Sequence, residues 1–220
     1  MSGNNTMRQR FALIAALFVA ACGTPEPADA QDDQALGEIP SELSAPLAAN
    51  TKLSNVYITW YGFNDNSCQV ESDHNCNTIA FPKSDGFAVP HNFATEGKGT
   101  FADPITFATA AKDSGSPAEF APGTKIYVPS VRKYFVMEDQ CAECGQEWFP
   151  NKGYYHVDLW MGPSVGSADG PLMNCEEKLT IGAPKKGTGV IIVNPSSDLP
   201  VDTTALFSNN TCTAHVYPNK

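Results

Sequence analysis

Along this chain short β-branched and aromatic runs alternate with turn residues. Six runs carry that signature: Val56–Tyr61, Ile105–Thr109, Lys125–Val128, Lys133–Glu138, Tyr154–Met161 and Val190–Val193. Each is rich in β-branched or aromatic residues and is bounded by turn formers such as Asp103-Pro104, Pro122-Gly123 and Pro195-Ser196. Helical periodicity is nearly absent, so the pattern predicts an all-β domain. Alternation also assigns faces. In Val56–Tyr61, Val56, Ile58 and Trp60 oppose Tyr57, Thr59 and Tyr61. In Tyr154–Met161, an apolar face of Val157, Leu159 and Met161 opposes His156, Asp158 and Trp160. A core on one side and a site on the other is the reading. No internal repeat of fixed period is visible.

The amino end breaks the strand pattern. Arg8 and Arg10 precede Phe11–Ala21, eleven residues without a charge or a helix breaker. That run has the length of an export-signal core and is too short to span a bilayer as a mature helix. Val19-Ala20-Ala21-Cys22-Gly23 follows and resembles the lipobox of bacterial lipoproteins, which implies a signal peptide over 1–21 and lipidation of Cys22. Residues 22–50 are rich in Ala, Pro and acids and read as a lipid anchor with a disordered acidic tether. Such a coil spans roughly 30 Å on average and about 90 Å if pulled straight. The folded domain is expected over 51–220, long enough for one real core. Gly23 is not the Asp that retains enteric lipoproteins in the inner membrane, so the expected place is the outer membrane, with the lipid as the only membrane contact.

Seven cysteines make an odd count. Setting Cys22 aside leaves Cys68, Cys76, Cys141, Cys144, Cys175 and Cys212, an even set that suggests three disulfides in an exported chain. Sequence does not choose among the fifteen possible pairings. Proximity points to 68–76, 141–144 and 175–212. Cys141-Ala142-Glu143-Cys144 also has the spacing of a redox pair or a zinc half-site. No second Cys-x-x-Cys exists and the four His are scattered, so a structural disulfide is expected and no metal or cofactor.

Charge narrows the partners. The net charge is −10, and loss of Arg8 and Arg10 with the leader makes it −12. That acidity argues against nucleic acid and anionic membrane surfaces, and suits a neutral or amino-sugar ligand. A monomer is expected.

Three segments then carry candidate chemistry. They are Gly99-Thr100-Phe101-Ala102-Asp103-Pro104, Pro122–Pro129 running on to Glu138-Asp139-Gln140, and His156-Val157-Asp158-Leu159-Trp160. Their order resembles the three-aspartate domain of bacterial cell-wall lytic proteins, with Asp103, Asp139 and Asp158 at the matching points. Here the Pro-Gly-Thr is one residue tighter, and a Cys-x-x-Cys replaces a Gly-rich stretch. His156-Val157-Asp158 resembles the His-Phe-Asp signature of expansins, family 45 endoglucanases and membrane-bound murein transglycosylase A. Thr59-Trp60-Tyr61-Gly62 is similar to the opening strand of expansins and rare lipoprotein A. These resemblances cover about residues 57–162. They imply a six-stranded double-psi β-barrel with loop insertions and disulfides, and a polysaccharide as partner.

Glycosidic cleavage needs a carboxyl group that still holds its proton near the working pH. Asp158 is the candidate acid, with Asp139 as its carboxylate neighbour. Asp is disfavoured at a strand centre, which strengthens a functional reading for Asp158. Thr59, Tyr61, Asp103, His156, Trp160 and Trp148 are candidate substrate contacts. Asp103 beside a turn proline equally suits a turn role, and Trp60 suits the core. By resemblance, the second carboxylate of the endoglucanases belongs two residues after Tyr61, where Phe63 stands. Asp65 is close by but out of pattern. Lytic transglycosylation, which needs one carboxyl group, is therefore expected before simple inverting hydrolysis. An expansin-like binding or wall-loosening module without bond cleavage is the alternative.

Overall fold

A computed structural model describes residues 47–66, 78–79, 93–110, 118–148, 155–162, 169–182 and 188–219. These all belong to the compact unit Glu42–Lys220. The expected signal, Cys22, most of the tether, and the Cys68 and Cys76 pair lie outside the described residues.

Six strands close a barrel in the order β1-β5-β2-β4-β3-β6. They are β1 (Thr51–Tyr61), β2 (Ile105–Thr109), β3 (Lys125–Val128), β4 (Lys133–Gln140), β5 (Tyr155–Trp160) and β6 (Gly189–Val193). β1 runs parallel to β5 and β2 parallel to β4. The remaining contacts around the barrel are antiparallel. A two-stranded hairpin, β7 (Phe207–Ser208) with β8 (Thr211–Cys212), follows.

All six expected runs form strands, within a few residues of their sequence limits. β1 starts five residues early because Thr51–Leu53 pair with β6 ahead of a register shift that ends at Val56. Val56 and Ile58 point inward and are fully buried, together with Phe107, Phe135, Met137, Val157, Leu159 and Ile191. Closure leaves none of the six barrel strands as an edge. At the β1–β6 crossing the space is minimal: a Cβ on Gly189 would stand 2.7 Å from Ile58 Cδ1 and 2.7 Å from the Val56 carbonyl oxygen.

β4 is buried on both faces except at its last residue. The carboxyl-terminal segment covers its outer side. Tyr134 donates to the Ser196 carbonyl at 2.7 Å, Tyr127 to that of Pro200 at 2.6 Å, and Lys133 Nζ to that of Asp202 at 2.6 Å. A buried lysine thereby keeps a hydrogen-bond acceptor.

Helices are few, in keeping with the near absence of helical periodicity, and two stand among the described residues. α1 (Ala142–Trp148) follows β4, and α2 (Asp169–Leu179) precedes β6. α2 buries Leu172, Cys175, Glu176 and Leu179, a 3.6-period stripe. Two of those four residues are a Cys and a Glu, which mutes the hydropathy signal. α1 is a short turn held by the Cys141–Cys144 disulfide. The second described disulfide, Cys175–Cys212, joins α2 to β8. Both pairings agree with sequence proximity. No helix among the described residues is long and apolar enough to cross a membrane.

Candidate functional site

One lateral row of the barrel builds the site. Pairing sets Thr59 of β1 against Asp158 of β5, Asp158 against Ala108 of β2, and Ala108 against Asp139 of β4. Paired residues point to the same face, so four side chains converge on one patch. The β2–β4 register decides this. Phe107 pairs with Met137, and an irregularity then brings Asp139, not Glu138, opposite Ala108. That is the re-aiming role of a β-bulge. Ala108 separates the two aspartates by two strand spacings, about 10 Å at the backbone, and its small side chain leaves the floor open.

The row forms the floor of an open cleft of about 670 Å³. Tyr61 lines one wall, Cys141 and Glu143 of the β4–α1 junction another, and Glu176 and Glu177 of α2 a third. Asp65 stands at the mouth, its Oδ1 accepting from the Gly62 N–H at 2.8 Å. Gly62 allows α2 to pack this close, since a Cβ there would meet Leu172 Cδ2 at 2.8 Å.

Hydrogen bonds hold the two aspartates. Thr59 Oγ1 donates to Asp158 Oδ1 at 2.7 Å and lies 2.9 Å from His156 Nε2. A hydroxyl has a single proton to give, so in this arrangement His156 Nε2–H donates to Thr59. His156 is itself buried, its ring tilted by 39° against Tyr57 at 4.4 Å, with its backbone N–H donating to Glu119 Oε1 at 2.6 Å. It supports the row from beneath and does not line the cleft. Asp139 accepts from Tyr61 Oη at 2.7 Å and from the Gln140 N–H at 2.8 Å.

The environment raises proton affinities. Desolvation pushes the Asp158 carboxyl up to about 7; the Thr59 hydrogen bond opposes this, and the negative fields of Asp65, Asp139 and Glu143 add to it. Glu176 is pushed up to about 8 by burial, then by Asp65 and Asp158, and its hydrogen bond with Asp65 raises it further. The same bond lowers Asp65, whose carboxyl is nevertheless raised, chiefly by desolvation. Glu176 is thus the proton holder and donor of that pair. Tyr61 is held well above its ordinary value by burial and then by Asp139. A carboxyl group protonated near neutrality, in an open cleft beside other carboxyl groups, can deliver a proton to a bound leaving group.

The other sequence candidates sit elsewhere. Trp160 is fully buried, edge-on to Tyr61 at 5.1 Å, with its Nε1 directed to Glu96 at 3.3 Å; it props the cleft wall and does not line it. Asp103 is exposed in a turn, where its Oδ2 accepts from the Lys98 N–H at 3.0 Å, outside the cleft. Trp148 ends α1, and its side chain lies outside the described residues. Cys141, Cys144 and His156 bring potential ligand atoms within 4.8 Å of one another, but the sulfurs are joined and offer no thiolate to a metal. The sequence reading missed Glu176 and passed over Asp65. A Glu four residues after Leu172 and three before Leu179, on a buried helical stripe, was the available signal for Glu176.

A family model described as the DDB_G0273701 N-terminal domain matches residues 53–213. The chain belongs to that family. The match runs from β1 past Cys212 and contains every residue of the cleft. A Dictyostelium discoideum relative, described as uncharacterized protein DDB_G0273701/DDB_G0273221, is 43% identical over 115 residues. That stretch is 52% of this chain and 45% of the relative, so under half of the relative's length is spanned. No solved structure matches. The family membership thus rests on the barrel domain itself.

Proposed function

We propose that this chain is an exported lipoprotein whose barrel, a double-psi β-barrel in our reading, acts on a cell-wall polysaccharide. Asp158 is the general acid of a lytic-transglycosylase-like cleavage. The carrying observation is Asp158 itself: a carboxyl group pushed up to about 7, anchored by Thr59, on the floor of an open cleft. Cleavage of this kind protonates the glycosidic oxygen as the C1–O bond breaks; the sugar's own 6-hydroxyl then adds to C1, giving up its proton and closing a 1,6-anhydro ring. Asp158 gives the first proton and takes the second. Asp139, oriented by Tyr61, supplies negative charge toward the developing oxocarbenium ion. The parallel β1–β5 and β2–β4 pairs support the double-psi reading. The Arg8–Ala21 leader and Cys22 support export and lipid anchoring to the outer membrane.

The test is mass spectrometry of peptidoglycan and cellulose digests made with wild type and Asp158→Asn. Anhydro-sugar products from wild type, lost in the variant, are expected. Reducing-end products lost in the variant indicate hydrolysis instead. Absence of any product, with glycan pull-down retained, assigns the cleft to a binding or wall-loosening module.

A further inference from the structure

The cleft is chemically one-sided. Among the described residues, its lining includes Asp65, Asp139, Glu143, Asp158, Glu176 and Glu177, and no Lys, Arg or His. A glycan carrying carboxylates or sulfates would enter that field with no cation to meet it, whereas a cationic sugar gains at every step of approach.

Glu176 supplies a second, independent observation. The residue is 7% exposed and lines the cleft. It shares a hydrogen bond with Asp65, yet Oε1 is buried with no hydrogen-bond partner. An acceptor left unmade in that way costs about 1–3 kcal/mol, and such groups call for an explanation in an otherwise well-paired structure. A donor brought by a ligand is one. A hydroxyl or an acetamide N–H offers a single hydrogen. A primary ammonium offers three, enough for Glu176, for Asp65 beside it and for a further cleft carboxylate, and each bond is charge-assisted.

We infer that the cleft selects an amino-sugar polymer with free, unacetylated amines, and that the Asp65–Glu176 pair binds the ammonium group. This rests on the reading of the cleft as a glycan site and names the substrate class for it.

The experiment is calorimetric titration of the full chain with glucosamine tetramers and, separately, N-acetylglucosamine tetramers. The free-amine tetramer is expected to bind at least about tenfold tighter, the scale of one charge-assisted hydrogen bond. Glu176→Gln and Asp65→Asn each abolish that preference. Asp198→Asn, which removes an exposed acid outside the cleft, retains the preference. If Glu176→Gln does not fold, Asp65→Asn at the cleft mouth carries the same test. Equal affinity for the two tetramers overturns the inference and leaves the glycan reading standing. So does a preference that survives Asp65→Asn, or that falls as far in Asp198→Asn. Binding of neither tetramer overturns the inference and counts against the glycan reading, which the polymer digests then decide separately.

Discussion

A carboxyl group whose proton affinity is raised by folding reports on itself through pH. Asp158 and Glu176 are pushed up to about 7 and about 8, against about 4 in the unfolded chain. Above about pH 4 the unfolded chain binds fewer protons at these positions than the folded chain. Stability is therefore fully present below that pH and is lost as pH rises through about 7 to 8. Denaturant titrations at pH 4 and pH 8 are expected to show this loss in wild type. Asp158→Asn and Glu176→Gln, which cannot ionise, each flatten the profile. An unchanged slope in both variants would contradict the protonation scheme. Activity follows the same group: if Asp158 is the acid, cleavage falls as pH rises above about 7, because the proton it must deliver is gone. Few of these facts were legible from residues alone. Asp158 was, because an Asp between His156 and Trp160 on a strand is out of place unless it has work. Asp65 and Glu176 were not, because their meeting joins a loop to a helix more than a hundred residues away.

Two element-level features decide whether there is a site at all. The first is Ala108, the small residue between Asp158 and Asp139 in the lateral row. Ala108→Leu should fill the cleft floor and lower glycan binding or turnover by at least about tenfold, while the midpoint of thermal unfolding shifts by only a few degrees. Retained turnover would place the reacting sugar elsewhere. The second is the close β1–β6 crossing. Gly189→Ala pushes a Cβ against Ile58 and the Val56 backbone, and overpacking of this kind costs about 1–3 kcal/mol. A shift in the urea midpoint without a change in slope is the expected signature. Strand positions were readable because a β-branched or aromatic run bounded by turn residues is a local property. Register was not: nothing within Ile105–Thr109 or Lys133–Gln140 states that an irregularity after Phe107 selects Asp139 over Glu138.

For the whole molecule, the long-range staple is Cys175–Cys212, which closes a segment of 37 residues and ties α2, with Glu176, to the terminal hairpin. Loop-closure entropy for that length is worth about 4 kcal/mol in the chain-entropy model. Replacing both cysteines by alanine is expected to cost about 2–4 kcal/mol in denaturant unfolding, and to loosen the α2 wall so that glycan affinity falls more than through Ala108-distant changes such as Asp198→Asn. A loss of stability below about 1 kcal/mol would show that hairpin packing, not the bond, holds this end.

The sequence by itself determined the β class, five strand centres nearly to the residue, and Asp158 as an outlier on its strand; proximity pointed to the two described disulfide pairs without choosing among the fifteen pairings. Those features depend on neighbours a few positions apart, where β-branched and aromatic runs and turn residues act directly. The tertiary structure alone decided which aspartates share a cleft, that Trp160 props the wall from within, that Asp103 stays in its turn, and that Asp65 and Glu176 join the site. Those outcomes depend on strand register, on the bulge after Phe107 and on where α2 packs. Each is set by closing the barrel around one core, a balance of contacts that no single segment contains.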